Sequence, residues 1–132
     1  MKRFKKVKLI NWHSFYNNTL TWENINVITG ENGTGKSTIL DAIYYVLSGG
    51  DSKFNRAANT LGTGRNVENY LKARIGGEKR EFLRNESNII GHIALEFYDE
   101  TYRRPYVIGV VLQLIEGKLD APAFFEIIGG EL

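Results

Sequence analysis

The sequence contains no cysteine, which removes disulfides, thiolate zinc sites and cysteine nucleophiles from the chemistry open to it and permits a reducing interior. Cytoplasm is the expected location. No apolar run approaches the length of a membrane span, so no membrane partner is expected. The N-terminus MKRFKKVK is basic, but LINWHSFYNNTLTW follows it where a signal peptide would need an uninterrupted apolar core, and export is not expected. The chain also lacks internal repeats, low-complexity stretches, an interdomain linker, a cage-like His, Asp and Glu cluster, and a nucleophile, base and acid set suited to hydrolysis.

Net charge is small. Lys and Arg number 17 against 15 Asp and Glu, leaving +2. The excess is local, because Lys2, Arg3, Lys5, Lys6 and Lys8 fall within the first eight residues. Two readings stay open for them: a solvated outer strand whose charges discourage edge-to-edge pairing, or contact with the DNA backbone.

What is present is one domain's worth of chain: 132 residues, 42% apolar and 24% charged, the balance of a soluble folded protein. Phe4 to Ile10 alternates apolar and basic residues imperfectly and predicts a half-buried strand. The turn-rich NWHSFYNN ends it. Short strands are expected at Thr19 to Trp22 and at Ile25 to Thr29, the second running into Gly30. Ile39, Leu40, Ile43, Val46 and Leu47 then fall at helical spacing, which predicts a helix over Lys36 to Leu47 closed by Gly49-Gly50. Asp51 to Arg65 reads as a surface excursion, and Val67 to Ile75 as a short helix ended by Gly76-Gly77. From Ile89 the period changes to two. An antiparallel meander is predicted, with Ile93, Leu95 and Phe97 alternating with His92, Ala94 and Glu96, then strands at Tyr106 to Ile115 and Phe124 to Ile128.

Gly30-Glu31-Asn32-Gly33-Thr34-Gly35-Lys36-Ser37 satisfies G-x-x-x-x-G-K-[ST], between an expected apolar strand and an expected amphipathic helix. Gly30, Gly33 and Gly35 let the backbone curl so that successive N–H groups point inward at phosphate oxygens, and the helix N-terminus adds its positive dipole end. Lys36 supplies a mobile point charge to the β- and γ-phosphates, Ser37 offers a hydroxyl to magnesium, and Thr38 lies next to it near the α-phosphate. The expected ligand is a nucleoside triphosphate with Mg2+. The loop alone does not choose adenine over guanine.

GENGTGKSTILDAIYYVL, preceded by LINWHSF and INVIT, resembles the N-terminal half-head of the SMC-like ATPases of MukB and Wadjet JetC type. GRNVENYL, SNIIGHIALEFYDE and GVVLQLIEGKLDAPAFFEIIGG extend the similarity over nearly the whole chain. The resemblance implies an α/β P-loop NTPase half-head of ABC/SMC type, with an antiparallel β meander beside the P-loop strand and helix. It implies ATP as the nucleotide, held by the P-loop of one head and capped by the signature motif of a second, with head closure acting on DNA. It further implies that residues 1–132 form an N-terminal Walker A half-head. A long coiled coil and a C-terminal half-head, which carries the signature motif, the Walker B aspartate and the catalytic glutamate, would lie outside this sequence. Accessory subunits of Wadjet or kleisin type are implied partners. The alternative is a self-contained small P-loop enzyme, a kinase or GTPase.

Other segments imitate functional motifs. Leu47-Ser48-Gly49-Gly50 spells the start of an ABC signature but closes a helix instead of opening one. Leu95 to Glu100 imitates a Walker B strand ending in Asp99-Glu100, yet it alternates and runs into a turn. Gln113 is a candidate Q-loop ligand of Mg2+, or a strand side chain. Arg56 and Arg65 are candidate nucleotide or DNA contacts, or solvated loop arginines. His13 beside Trp12 either approaches the base or packs, and Asp41 and Glu31 are expected to be solvated.

Overall fold

In the computed structural model the described residues are 1–29, 33–51, 66–75 and 81–132, with side chains described for all of these except 26–29, 33–36, 74, 75 and 81. In chain order the elements are β1 (Lys2–Trp12), β2 (Phe15–Thr21), α1 (Trp22–Thr29), α2 (Gly33–Leu47), α3 (Val67–Lys72), β3 (Arg74–Ile75), β4 (Glu81–Phe82), β5 (Ile89–Asp99), β6 (Arg104–Ile115), β7 (Lys118–Leu119) and β8 (Ala123–Ile128). One antiparallel sheet runs β2-β1-β5-β6-β7, with β8 also on β6, and β3 pairs with β4 separately.

Register follows from the two-residue period. Val7 pairs with Leu95 and Leu9 with Ile93, and Ile93 continues to Val110 as Gly91 does to Leu112. All of these apolar side chains are buried on one face. The helix α2 lays Ile39, Ala42, Tyr45 and Val46 onto that face. Each fully buried Leu, Ile or Val contributes about 1.5–3 kcal/mol relative to exposure, so this face is the core. Gly91 is there for space: a Cβ would run into the Leu71 side chain and come within 3.1 Å of the Ile10 carbonyl.

The meander is present as expected, with β8 starting at Ala123 and the added short pairing of β7 inside EGKLDAP. Its burial differs from simple alternation, because Ala94 and Glu96 are buried as well. The last residues fold back over the second face: the Leu132 N–H donates to Glu96 Oε1 at 2.6 Å. Lys6 Nζ, opposite Glu96 in the register, donates to the Leu132 carbonyl at 3.4 Å.

Three local expectations are corrected. The run before the loop is a helix, α1, where a strand over Ile25 to Thr29 was expected. A strand needs a neighbour for its N–H and C=O groups, and no strand beside it is found among the described residues. The segment bonds internally instead, and Thr21 and Asn24 cap it reciprocally: the Asn24 N–H donates to Thr21 Oγ1 and the Thr21 N–H to Asn24 Oδ1. Second, β1 is an interior strand between β2 and β5, so its lysines do not guard an outer edge. Third, the helix expected over Val67 to Ile75 stops at Lys72, where Ala73 turns left-handed at φ 58°. Gly76-Gly77 and residues 52–65 of the expected excursion lie outside the described residues.

Candidate functional site

The P-loop motif meets the fold at the start of α2. Gly30, Glu31 and Asn32 lie outside the described residues. Gly33, Thr34, Gly35 and Lys36 form the first turn of the helix, and no acidic residue occupies that turn. The first four N–H groups of a helix have no partner within it, and the dipole there is positive. An anion would meet no opposing carboxylate from that turn, which fits the phosphate expected of the motif. Ser37 follows, half-buried.

Behind this turn stands a buried network. The indole N–H of Trp12, a side chain with no exposed surface, donates to the Thr38 carbonyl at 2.9 Å. Its ring lies against that of Tyr70 at 4.4 Å between centroids. The Tyr70 hydroxyl donates to Asp41 Oδ2. Thr38, Asp41 and Tyr70 are all buried. Asp41 is therefore not the solvated helix-face residue expected from sequence: residues 38 and 41 share a helix face, and that face points into the core. His13 takes the packing alternative. Its N–H donates to the Tyr70 carbonyl at 2.7 Å, its ring meets Tyr70 edge-on, and its φ is 50°.

Arg84 holds the same corner. Its Nε donates to Asn11 Oδ1 at 3.2 Å, Nη1 to the carbonyls of His13 at 2.7 Å and Leu71 at 3.1 Å, and Nη2 to the Phe15 carbonyl at 3.2 Å. Burial lowers its pKa from the ordinary arginine value, with Glu86 acting in the opposite sense. Neither Arg84 nor Tyr70 was singled out from sequence. Tyr70 could have been found from its helical spacing to Val67, but the acceptors of Arg84 lie as far as 73 residues away along the chain and left no local signal.

The imitating motifs are placed as follows. Leu47 to Gly50 closes α2: Gly50 N–H bonds the Tyr45 carbonyl at 2.9 Å and Gly49 N–H that of Val46 at 3.2 Å, with Gly49 at φ 72°. These are the two bonds of a Schellman cap, where glycine escapes the Cβ penalty. Asp99 ends β5 and caps the hairpin, its Oδ1 accepting from the N–H groups of Thr101 at 2.9 Å and Tyr102 at 3.2 Å. Gln113 lies inside β6 opposite the exposed Ile90, on the sheet face away from α2. Among the DNA-contact candidates, Lys6 is tied to Leu132, whereas Lys5 and Lys8 form no ion pair among the described residues; Arg56 and Arg65 lie outside them.

Comparison with known proteins bears on the P-loop motif. A family model described as the P-loop containing region of AAA domain matches residues 4–61. The DNA double-strand break repair Rad50 ATPase of Methanocaldococcus jannaschii is 40% identical over 52 residues, which is 39% of this chain. The chain spans about 5% of the length of that relative. No solved structure matches. No helix among the described residues is long and apolar enough to cross a membrane. The early part of the chain thus carries a P-loop region similar to that of a Rad50 ATPase, and the mixed helices and antiparallel sheet fit an α/β P-loop NTPase.

Proposed function

We propose that this chain is the nucleotide-binding N-terminal part of an SMC-like ATPase head of the Wadjet and MukB type, which takes ATP with Mg2+ at residues 30–38 and works on DNA. The observation that carries the reading is the complete motif from Gly30 to Ser37, of which Gly33 to Lys36 form the acid-free first turn of α2. Gly30 to Gly35 would wrap the phosphates with main-chain N–H groups, and Lys36 would meet the β- and γ-phosphates. Ser37 would hold the magnesium, which supplies positive charge to the phosphates when bound. A C-terminal half-head and a second head would close the site, with accessory subunits of Wadjet or kleisin type. The narrower assignment to the Wadjet and MukB type rests on NWHSF and on the later stretches quoted above.

Calorimetry on the 132-residue chain tests the reading. Lys36→Ala removes a charge-assisted contact of about 1.5–3 kcal/mol, roughly 10- to 150-fold in affinity for Mg-ATP. Equal binding by wild type and variant would remove the cradle assignment. Equal competition by GTP would remove the adenine preference.

Contact with DNA is supported by the local excess of charge on β1, where Lys5 and Lys8 have no ionic partner among the described residues. Duplex DNA should bind weakly, without sequence preference, and less as salt rises, because counterion release supplies the driving force. Charge-neutralising Lys5 and Lys8 together should weaken binding and flatten the salt dependence by about two phosphate contacts. Unchanged affinity and salt slope would return these lysines to solvation.

A further inference from the structure

The buried network behind α2 has features that core packing alone does not require. Four polar or amphipathic groups from three elements meet there: Trp12 at the end of β1, Thr38 and Asp41 on α2, and Tyr70 on α3. The helix itself already directs the N–H of residue 42 at the Thr38 carbonyl. The indole N–H of Trp12 is therefore a second donor to that oxygen, placed one residue after the serine of the motif. The Tyr70 hydroxyl grips the same helix face three residues later. Two anchors three residues apart on one face fix both the rotation of a helix about its axis and its height along it.

We propose that Trp12 and Tyr70 are positioning residues for the nucleotide site, holding the first turns of α2 so that its N-terminal N–H groups and the Ser37 hydroxyl are aimed before nucleotide arrives. This rests on the reading that residues 30–38 bind nucleotide. The aim of Ser37 is set through main-chain groups, since Thr38 follows it directly and is held at its carbonyl. The same links join α3 to the site, so that a change in the seat of α2 is felt at Tyr70. Preorganisation of this kind acts on affinity by removing the cost of ordering the helix end when the ligand binds.

The test uses the 132-residue chain with Trp12→Phe, Tyr70→Phe and Lys36→Ala. Each variant is titrated with ATP by calorimetry, with magnesium and with chelator, and amide hydrogen exchange is followed over residues 37–47 without nucleotide. Trp12→Phe and Tyr70→Phe keep an aromatic ring and lose the donor. Tyr70→Phe is the smaller change and decides the matter should Trp12→Phe fail to fold. The expected result is a folded Tyr70→Phe variant with faster exchange over 37–47 and an affinity for Mg-ATP lower by roughly fivefold, the worth of one hydrogen bond. The loss should shrink in chelator, because the orientation of Ser37 matters most when its hydroxyl meets the metal. A purely structural role would not separate the two titrations. Folded variants with wild-type affinity overturn the proposal. If Lys36→Ala binds as well as wild type, the nucleotide reading fails and the positioning role falls with it, whatever the exchange shows.

Discussion

The 132-residue chain is expected to release phosphate from ATP no faster than its own Lys36→Ala variant. Hydrolysis needs the phosphates held in line, a group that orients the attacking water, and an acidic residue that fixes the magnesium. The P-loop would supply the first. The one Asp-Glu pair in the sequence, Asp99-Glu100, stands at the end of β5 beside Met1 and Arg3: the Glu100 N–H bonds the Met1 carbonyl at 2.9 Å, and its carboxylate approaches Arg3 at 4.0 Å. Trp12, at the other end of β1, touches Thr38. At about 3.3 Å per residue along a strand, the end of β1 that meets the pair and the end that meets Thr38 are roughly 30 Å apart. Asp99 is occupied in capping its own hairpin. Each missing catalytic donor costs on the order of 10²- to 10³-fold in rate, so the expected turnover is indistinguishable from the Lys36→Ala control in a steady-state phosphate assay. If the SMC-like reading holds, adding a C-terminal half-head restores release that depends on Lys36. Robust release by the chain alone, lost in Lys36→Ala, would instead favour the self-contained kinase or GTPase and make Glu100 the first residue to replace.

Trp12→Ala is expected to cost about 3–5 kcal/mol of folding stability, the range for a buried aromatic cut back to alanine. The side chain has no exposed surface and sits where β1, α2 and α3 converge. Its loss leaves a cavity beside Tyr70 and removes the indole donor from a buried carbonyl. Against the 5–15 kcal/mol typical of a domain, this is a large share of the whole. Urea unfolding should show a lower midpoint with an unchanged slope. Trp22 is the internal comparison, since it is 56% exposed and meets Phe4 only edge-on at 6.5 Å; Trp22→Ala should cost about 1 kcal/mol or less. Equal costs at the two tryptophans would contradict the placement of Trp12 at the centre of the core.

The two tryptophans also show where sequence reading runs out. His13 and Trp12 stand in the same short motif, and nothing in their order says that the indole turns inward to the backbone of α2. That depends on φ values of 51° at Asn11 and 50° at His13, which break the two-residue alternation as β1 ends. Asp41 was misread for a related reason. A charged residue on a helix defaults to solvent, and α3, some thirty residues later, brings Tyr70 to it as a buried partner.

By itself the sequence determined the P-loop motif, the amphipathic helix that follows it, the glycine stop at Gly49-Gly50 and the antiparallel meander from Ile89. Each of these is written in near-neighbour chemistry: residue types at fixed offsets, periods of 3.6 or two, and glycine where φ must be positive. Tertiary structure decided what depends on distant partners. It set β1 between two strands, buried Glu96 beneath the last residues, gathered four oxygen acceptors around Arg84 and brought Tyr70 to Asp41. It also overrode a local preference. Ile25 to Thr29 is rich in β-branched residues and reads as a strand, yet a strand is stable only when a neighbour accepts its hydrogen bonds. With no strand beside it among the described residues, and with Thr21 and Asn24 capping its start, the segment closes its own bonds as α1.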